Sequence, residues 1–309
     1  MHQRPFRFGL ATLNASSREE WVERGRKAID LGYTTLSIAD HFQEQLAPFS
    51  ALMAIANACP TLRIGSYVFA NDFRHPAVLA KEIATLDLLS EGRVEFGIGA
   101  GWLESDYMQT GMRFERPGVR VGRLKESLAI IKGLFHDEPV TFTGAYYKVS
   151  DLVGYPKPFQ KPCPPIMIGA HGRRMLALAA QEADIISLIN DLSGSQIHFA
   201  SNSLTTTAEQ LEWVRQQAGA RFPQIEFNVL IWSVVVTDNQ QHGAEQLAAR
   251  WSLASSQQVL DSIHFLVGTV EQICEIIYLR REQLGISYYT ITDRAMERFA
   301  PVVAKLAGN

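Results

Sequence analysis

Short apolar runs alternate with longer runs of helical spacing along nearly the whole chain. Phe6 to Thr12 alternates polar and apolar positions and predicts a first strand. Ser17-Arg18-Glu19-Glu20 is a capping box, in which the Ser17 hydroxyl bonds the Glu20 amide while Glu20 reaches back. Trp21, Gly25, Ala28 and Ile29 follow at helical spacing, and Gly32 stops that helix. Thr34 to Ala39 is a second strand and ends in Asp40-His41. A helix over Phe49 to Cys59 stops before Pro60. Arg63 to Val68 is a third strand. Pro76 then opens a helix to Leu89, at the first helical position, where its missing N–H costs nothing.

The same alternation continues. Val94 to Gly99 is a fourth strand, and a helix over Val119 to Phe135 aligns Leu124, Leu128, Ile131 and Leu134 on one face. Val140–Phe142 and Tyr146–Val149 flank Gly144 as a hairpin. Five prolines between Tyr155 and Pro165 make that stretch an extended connection. Ile166 to Gly169 is a fifth strand with a helix over Arg173 to Glu182, and Asp184 to Leu188 is a sixth. Ile189 to Thr206 is polar and predicts a loop before a helix over Thr207 to Ala218. Phe227 to Val236 is apolar and β-branched, a buried seventh strand. Helices near 240–251 and 255–263 and over Thr269 to Leu284 precede an eighth strand, Tyr288 to Ile291, and a closing helix from Arg294.

Strand–helix alternation repeated eight times favours a closed (β/α)8 TIM barrel; a doubly wound open sheet uses the same units and is the alternative. A length of 309 residues suits one barrel domain, residues 1–309, with insertions near 102–118, 140–164 and 189–206. The chain is 47% apolar and 20% charged, enough to bury a large core. Its net charge of −3 argues against a nucleic-acid partner. Cys59, Cys163 and Cys274 lack C-x-x-C spacing, and no metal-ligand spacing occurs. No apolar leader or membrane-length run is present, so the expectation is a soluble, cytoplasmic protein.

Four segments could carry chemistry. His41 ends a strand, where a histidine can move protons near neutral pH; a hydrogen-bonded rim histidine is the plainer reading. Gly97-Ile98-Gly99-Ala100-Gly101-Trp102 is not a dinucleotide fingerprint, because its third glycine would fall at Trp102. Alternating glycines at a strand end instead admit a flat ligand, or mark a bulge. Gly169-Ala170-His171-Gly172-Arg173-Arg174 opens a helix with amide and cationic groups suited to a phosphate, or is an ordinary loop with solvated arginines. Gly65 to Asn71 by itself reads only as a strand. G-x-S-x-G, P-loop and H-E-x-x-H patterns are absent, which removes support for hydrolase and kinase chemistry. No lysine falls at a predicted strand end, so a Schiff base has no candidate.

These segments, in this order, resemble the luciferase-like monooxygenase superfamily, and most of all its oxidoreductases that use the deazaflavin coenzyme F420. The most specific stretch runs from Arg74-His75-Pro76 through Ala84-Thr85-Leu86-Asp87 and Ser90-Glu91-Gly92-Arg93 to Trp102; Pro165 to Gly169 and Ala179 to Asp184 add to it. The resemblance implies a barrel with insertions, usually a homodimer. It implies a non-prolyl cis peptide at Tyr67-Val68 backing the cofactor ring. His41 and Asp40 would be the catalytic pair, with Asp40 holding the local hydrogen-bond network. Tyr67, Val68, Ala70, Gly99, Gly101 and Trp102 would surround the ring, and Gly169, Ala170, Gly172 and Arg173 would take the phosphate. A basic rim near Arg173, Arg174 and Arg74 would suit the acidic tail of F420. The reading is hydride transfer between F420 and an unidentified small molecule. The alternatives are an FMN-dependent monooxygenase on the same fold and a non-catalytic flavin-binding barrel. One departure matters: the sugar-phosphate dehydrogenases of this family carry a catalytic glutamate where this chain has Trp102, with Glu104 offset by two, which disfavours sugar-phosphate oxidation.

Overall fold

The computed structural model describes residues 4–309. Eight strands form the barrel: β1 Arg7–Thr12, β2 Thr35–Ile38, β3 Arg63–Ser66, β4 Val94–Gly99, β5 Ile166–Ala170, β6 Ile185–Leu188, β7 Glu226–Ile231 and β8 Ile286–Thr292. They hydrogen-bond in the order β3–β2–β1–β8–β7–β6–β5–β4, and β4 pairs back on β3, so the sheet closes as the alternating pattern predicted. The β1–β8, β7–β8, β6–β7, β4–β5 and β3–β4 ladders are parallel. Strands buried on both faces read as unbroken apolar runs, and every residue of β2, β4, β5 and β6 is buried.

Contacts group the chain into two units, one of the residues up to Thr12 with Arg26–Leu36 and Ala170–Asn309, the other of Leu13–Gly25 and Ser37–Gly169. In the second unit, glycines let β3 and β4 approach closely. A Cβ on Gly97 would lie 2.0 Å from the Ser66 carbonyl oxygen, and one on Gly65 2.6 Å from that of Glu95. Beneath them, Arg93 donates to the carbonyls of Ala56, Cys59, Leu62 and Ser90, and fully buried Asp87 accepts from the amide and side chain of Gln160. The hairpin pairs Val140–Thr143 with Lys148–Leu152. At Ser17 only half the expected box forms. Its hydroxyl accepts from the Glu20 amide, but the Glu20 carboxylate turns to Ser16 and Arg24.

Three sequence expectations change. The seventh strand is interrupted at Trp232, whose N–H donates to the His264 carbonyl. Ser233–Val236 then pairs in parallel with Phe265–Gly268, a strand that periodicity did not show. Two apolar runs adjacent in sequence but with different partners made one apparent element. The second change lies within 102–118, where Glu104–Thr110 is helical and ends at left-handed Gly111. The third is in 189–206, where Phe199 packs against Trp232, Trp251 and Phe265 and pins two short 3-10 turns. Among the described residues no helix is long and apolar enough to cross a membrane.

Candidate functional site

The chain beyond β2 delivers Asp40 and His41 to a rim inside the second unit. Asp40 is 6% exposed and grips Arg74 through both oxygens, at 2.5 and 3.0 Å, while accepting the Ala70 amide at 3.1 Å. A buried carboxylate needs such a partner, because removing one member of the pair strands a charge at a cost of about 3–5 kcal/mol. The Arg74 guanidinium also lies 5.4 Å from the ring centroids of Phe49 and Phe69, which stack at 4.7 Å. Arg74 is thus committed to Asp40 and is not the solvated rim cation expected for an acidic tail.

His41 is held by a residue the sequence reading did not single out. Its Nδ1 lies 2.6 Å from Oδ2 of Asp106, whose Oδ1 accepts the Phe42 amide at 3.2 Å. Asp106 is 1% exposed, while the histidine side chain remains 21% exposed. Trp102 sits edge-on to the imidazole, with centroids 5.8 Å apart and planes at 88°. In sequence Asp106 was one acidic residue within the 102–118 insertion, and only the fold brings it across 65 positions to His41.

The Tyr67-Val68 peptide is cis, and Phe69–Ala70 continues the β3 path along β4. The glycines expected to admit a flat ligand are crowded in the direction a Cβ would take. A Cβ on Gly99 would meet Val68 Cγ2 at 2.9 Å, and one on Gly101 would fall 1.9 Å from the Tyr107 hydroxyl. Gly101 also holds φ +77°, which a side chain disfavours. The bulge and the aromatic wall thus leave no room for side chains at these positions. Behind them, Arg123 pairs with Asp72 at 2.9 Å, and Asp72 accepts from the Tyr107 hydroxyl, whose pKa burial pushes upward.

The phosphate candidates lie around the start of another helix. Gly169 and Ala170 are buried within β5, so the open backbone begins at His171 and Gly172. The helix Gly172–Glu182 has no side-chain cap, and Gly172, at φ +71°, has no atom within 4 Å of where a Cβ would stand. Uncapped N–H groups at an exposed helix start fit a phosphate by donor chemistry and by the helix dipole. In the other unit, Arg173 stacks on Trp213 at 5.2 Å while its carbonyl accepts the indole N–H. Burial lowers the His171 pKa, opposed by the Asp191 charge, and its Nδ1 lies 3.4 Å from Gln210 Nε2. No group of three or more His, Cys, Asp or Glu placed to hold a metal occurs among the described residues.

A family model described as luciferase-like monooxygenase matches residues 4–272. An F420-dependent glucose-6-phosphate dehydrogenase of Microbacterium testaceum is 34% identical over 189 residues, 58% of this chain and 55% of that relative. The matched part spans about half the length of such curated relatives. An F420-dependent secondary alcohol dehydrogenase, solved with an F420-acetone adduct, superposes with TM-score 0.76 at 20% identity over 98% of each chain. A riboflavin lyase solved with modified FMN superposes with TM-score 0.77 at 14% identity, over 98% of this chain and 91% of that one. At these identities the structures establish the fold, and the family match extends over most of the sequence. This chain therefore belongs to the luciferase-like monooxygenase family.

Proposed function

We propose that this protein is an F420-dependent oxidoreductase that moves a hydride between the deazaflavin and a small organic molecule. The observation that carries the reading is His41, partly exposed and anchored through Nδ1 to buried Asp106, in the same unit as the cis Tyr67-Val68 peptide. The F420-dependent curated relatives support the choice of cofactor.

Bound F420 would supply the hydride-accepting or hydride-donating ring carbon. In the second unit Val68, Ala70 and Trp102 would hold the ring; in the other, Gly172 and Arg173 are the candidates for a phosphate. His41 Nε2 moves the proton coupled to hydride transfer, and Asp40 keeps Arg74 and the Ala70 backbone fixed beneath it. Trp102 supplies no carboxylate to the rim, so the substrate is not expected to be the sugar phosphate of the curated relatives.

The second reading is an FMN-dependent monooxygenase, favoured by the likeness to a barrel solved with modified FMN. Spectral titration with F420 and with FMN separates the two. Saturable F420 binding and turnover without oxygen uptake are expected. Tight FMN binding with no F420 binding would overturn the proposal.

A further inference from the structure

We infer that Asp106 is a positioning residue that fixes the His41 ring with its proton on Nδ1, leaving Nε2 as the lone pair that receives a proton from substrate. The inference rests on the reading of His41 given above and adds to it a residue, a tautomer and a direction.

An ionised carboxylate only accepts hydrogen bonds. Asp106 Oδ2 stands 2.6 Å from His41 Nδ1, so the neutral imidazole must donate from Nδ1. The other oxygen is committed to the Phe42 amide at 3.2 Å, the residue following His41, so one carboxylate fixes both ring and backbone. The Thr110 hydroxyl closes the turn by donating to the Asp106 carbonyl at 2.6 Å. Trp102, edge-on at 5.8 Å, restricts rotation of the imidazole. Asp40 cannot take this role, because both its oxygens are held by Arg74.

The consequence is a base poised for substrate oxidation. The substrate O–H bond breaks and its proton passes to Nε2. Bound F420 would accept the C–H hydride with its two electrons as the oxygen electron pair forms the carbonyl π bond, so the proton held on Nε2 balances the oxidation. The resulting imidazolium keeps Nδ1–H on the Asp106 carboxylate, which stabilises its charge. In the reverse direction the imidazolium returns the proton.

Asp106→Asn tests the assignment with little change in shape. The Phe42 N–H keeps the amide oxygen on its own side, so the new NH2 faces Nδ1 and forces the neutral ring to carry its proton on Nε2. Nitrogen NMR of protein labelled with 15N-histidine reads this directly, the His41 signals being identified by their loss in His41→Gln. The expected result is Nδ1–H in the wild type and Nε2–H in Asp106→Asn. The variant should also lose about 100-fold or more in kcat with unchanged affinity for oxidised F420. An Nε2-protonated His41 in the wild type would overturn the Asp106 assignment, whatever cofactor binds. So would a variant with unchanged tautomer or undiminished kcat. Failure of the wild type to bind F420 would instead strike the functional reading, and the NMR result separates the two failures.

Discussion

The second unit contains two polar networks built from the same residue types, and they behave differently. At the base, Arg93 spends its guanidinium on four backbone carbonyls, and Asp87 is sealed at 0% exposure against Gln160. At the rim, Arg74 holds Asp40 and Asp106 holds His41, but the His41 ring stays partly exposed. The base network satisfies buried groups and leaves nothing over for a ligand. In the rim network, one buried partner fixes a side chain that stays partly exposed. A cluster of charge marks a site only when some donor or acceptor in it remains accessible.

The largest expected effect separates the two networks by activity. His41→Ala should reduce kcat by about 10²–10⁴-fold while the urea midpoint stays near wild type, measured in steady-state turnover with F420. An undiminished kcat would place the rim with the base as structural. The converse substitution is Arg93→Ala, which leaves buried carbonyls without a donor. It should cost about 3 kcal/mol or more in urea unfolding, with turnover per folded molecule retained.

The same contrast between closed and open groups extends to the other unit. His264 is fully buried and its pKa falls to about 4, because burial disfavours the imidazolium against the opposing Leu230 carbonyl bond. The folded pKa lies below the unfolded value near 6.5, so the unfolded chain binds more protons between those limits. The stabilisation is complete above that range and is lost as pH falls. Between pH 7 and pH 5 the loss should be about 2 kcal/mol, and His264→Gln should flatten that slope in urea midpoints. The smallest effect concerns the open helix start. Arg173→Ala should weaken F420 binding by about tenfold, and less at high salt, in a fluorescence titration. A variant that binds as tightly as wild type would remove Arg173 from the phosphate group.

The resemblance stretch from Arg74 to Trp102 divides along the same line. Asp87, Ser90 and Arg93 serve the base, whereas Arg74 and Trp102 belong to the rim. Reading the residues in order could not make that division, because both sets flank the same helix and strand. The glycines show the same limit. Gly97 and Gly99 were legible as unusual, but the atoms they avoid, Ser66 O and Val68 Cγ2, come from β3 and the bulge that follows it.

What the sequence alone determined is the barrel. Eight apolar runs of strand length, separated by helical periodicity, have few ways to bury both faces, and local caps such as Pro76 and Gly32 set most boundaries. It also placed Asp40 and His41 at a strand end. Tertiary structure alone decided what those residues touch. Pairing across distant positions, such as His41 with Asp106 or Ser233–Val236 with Phe265–Gly268, leaves no periodic trace, because it depends on where whole elements pack and not on local backbone preference.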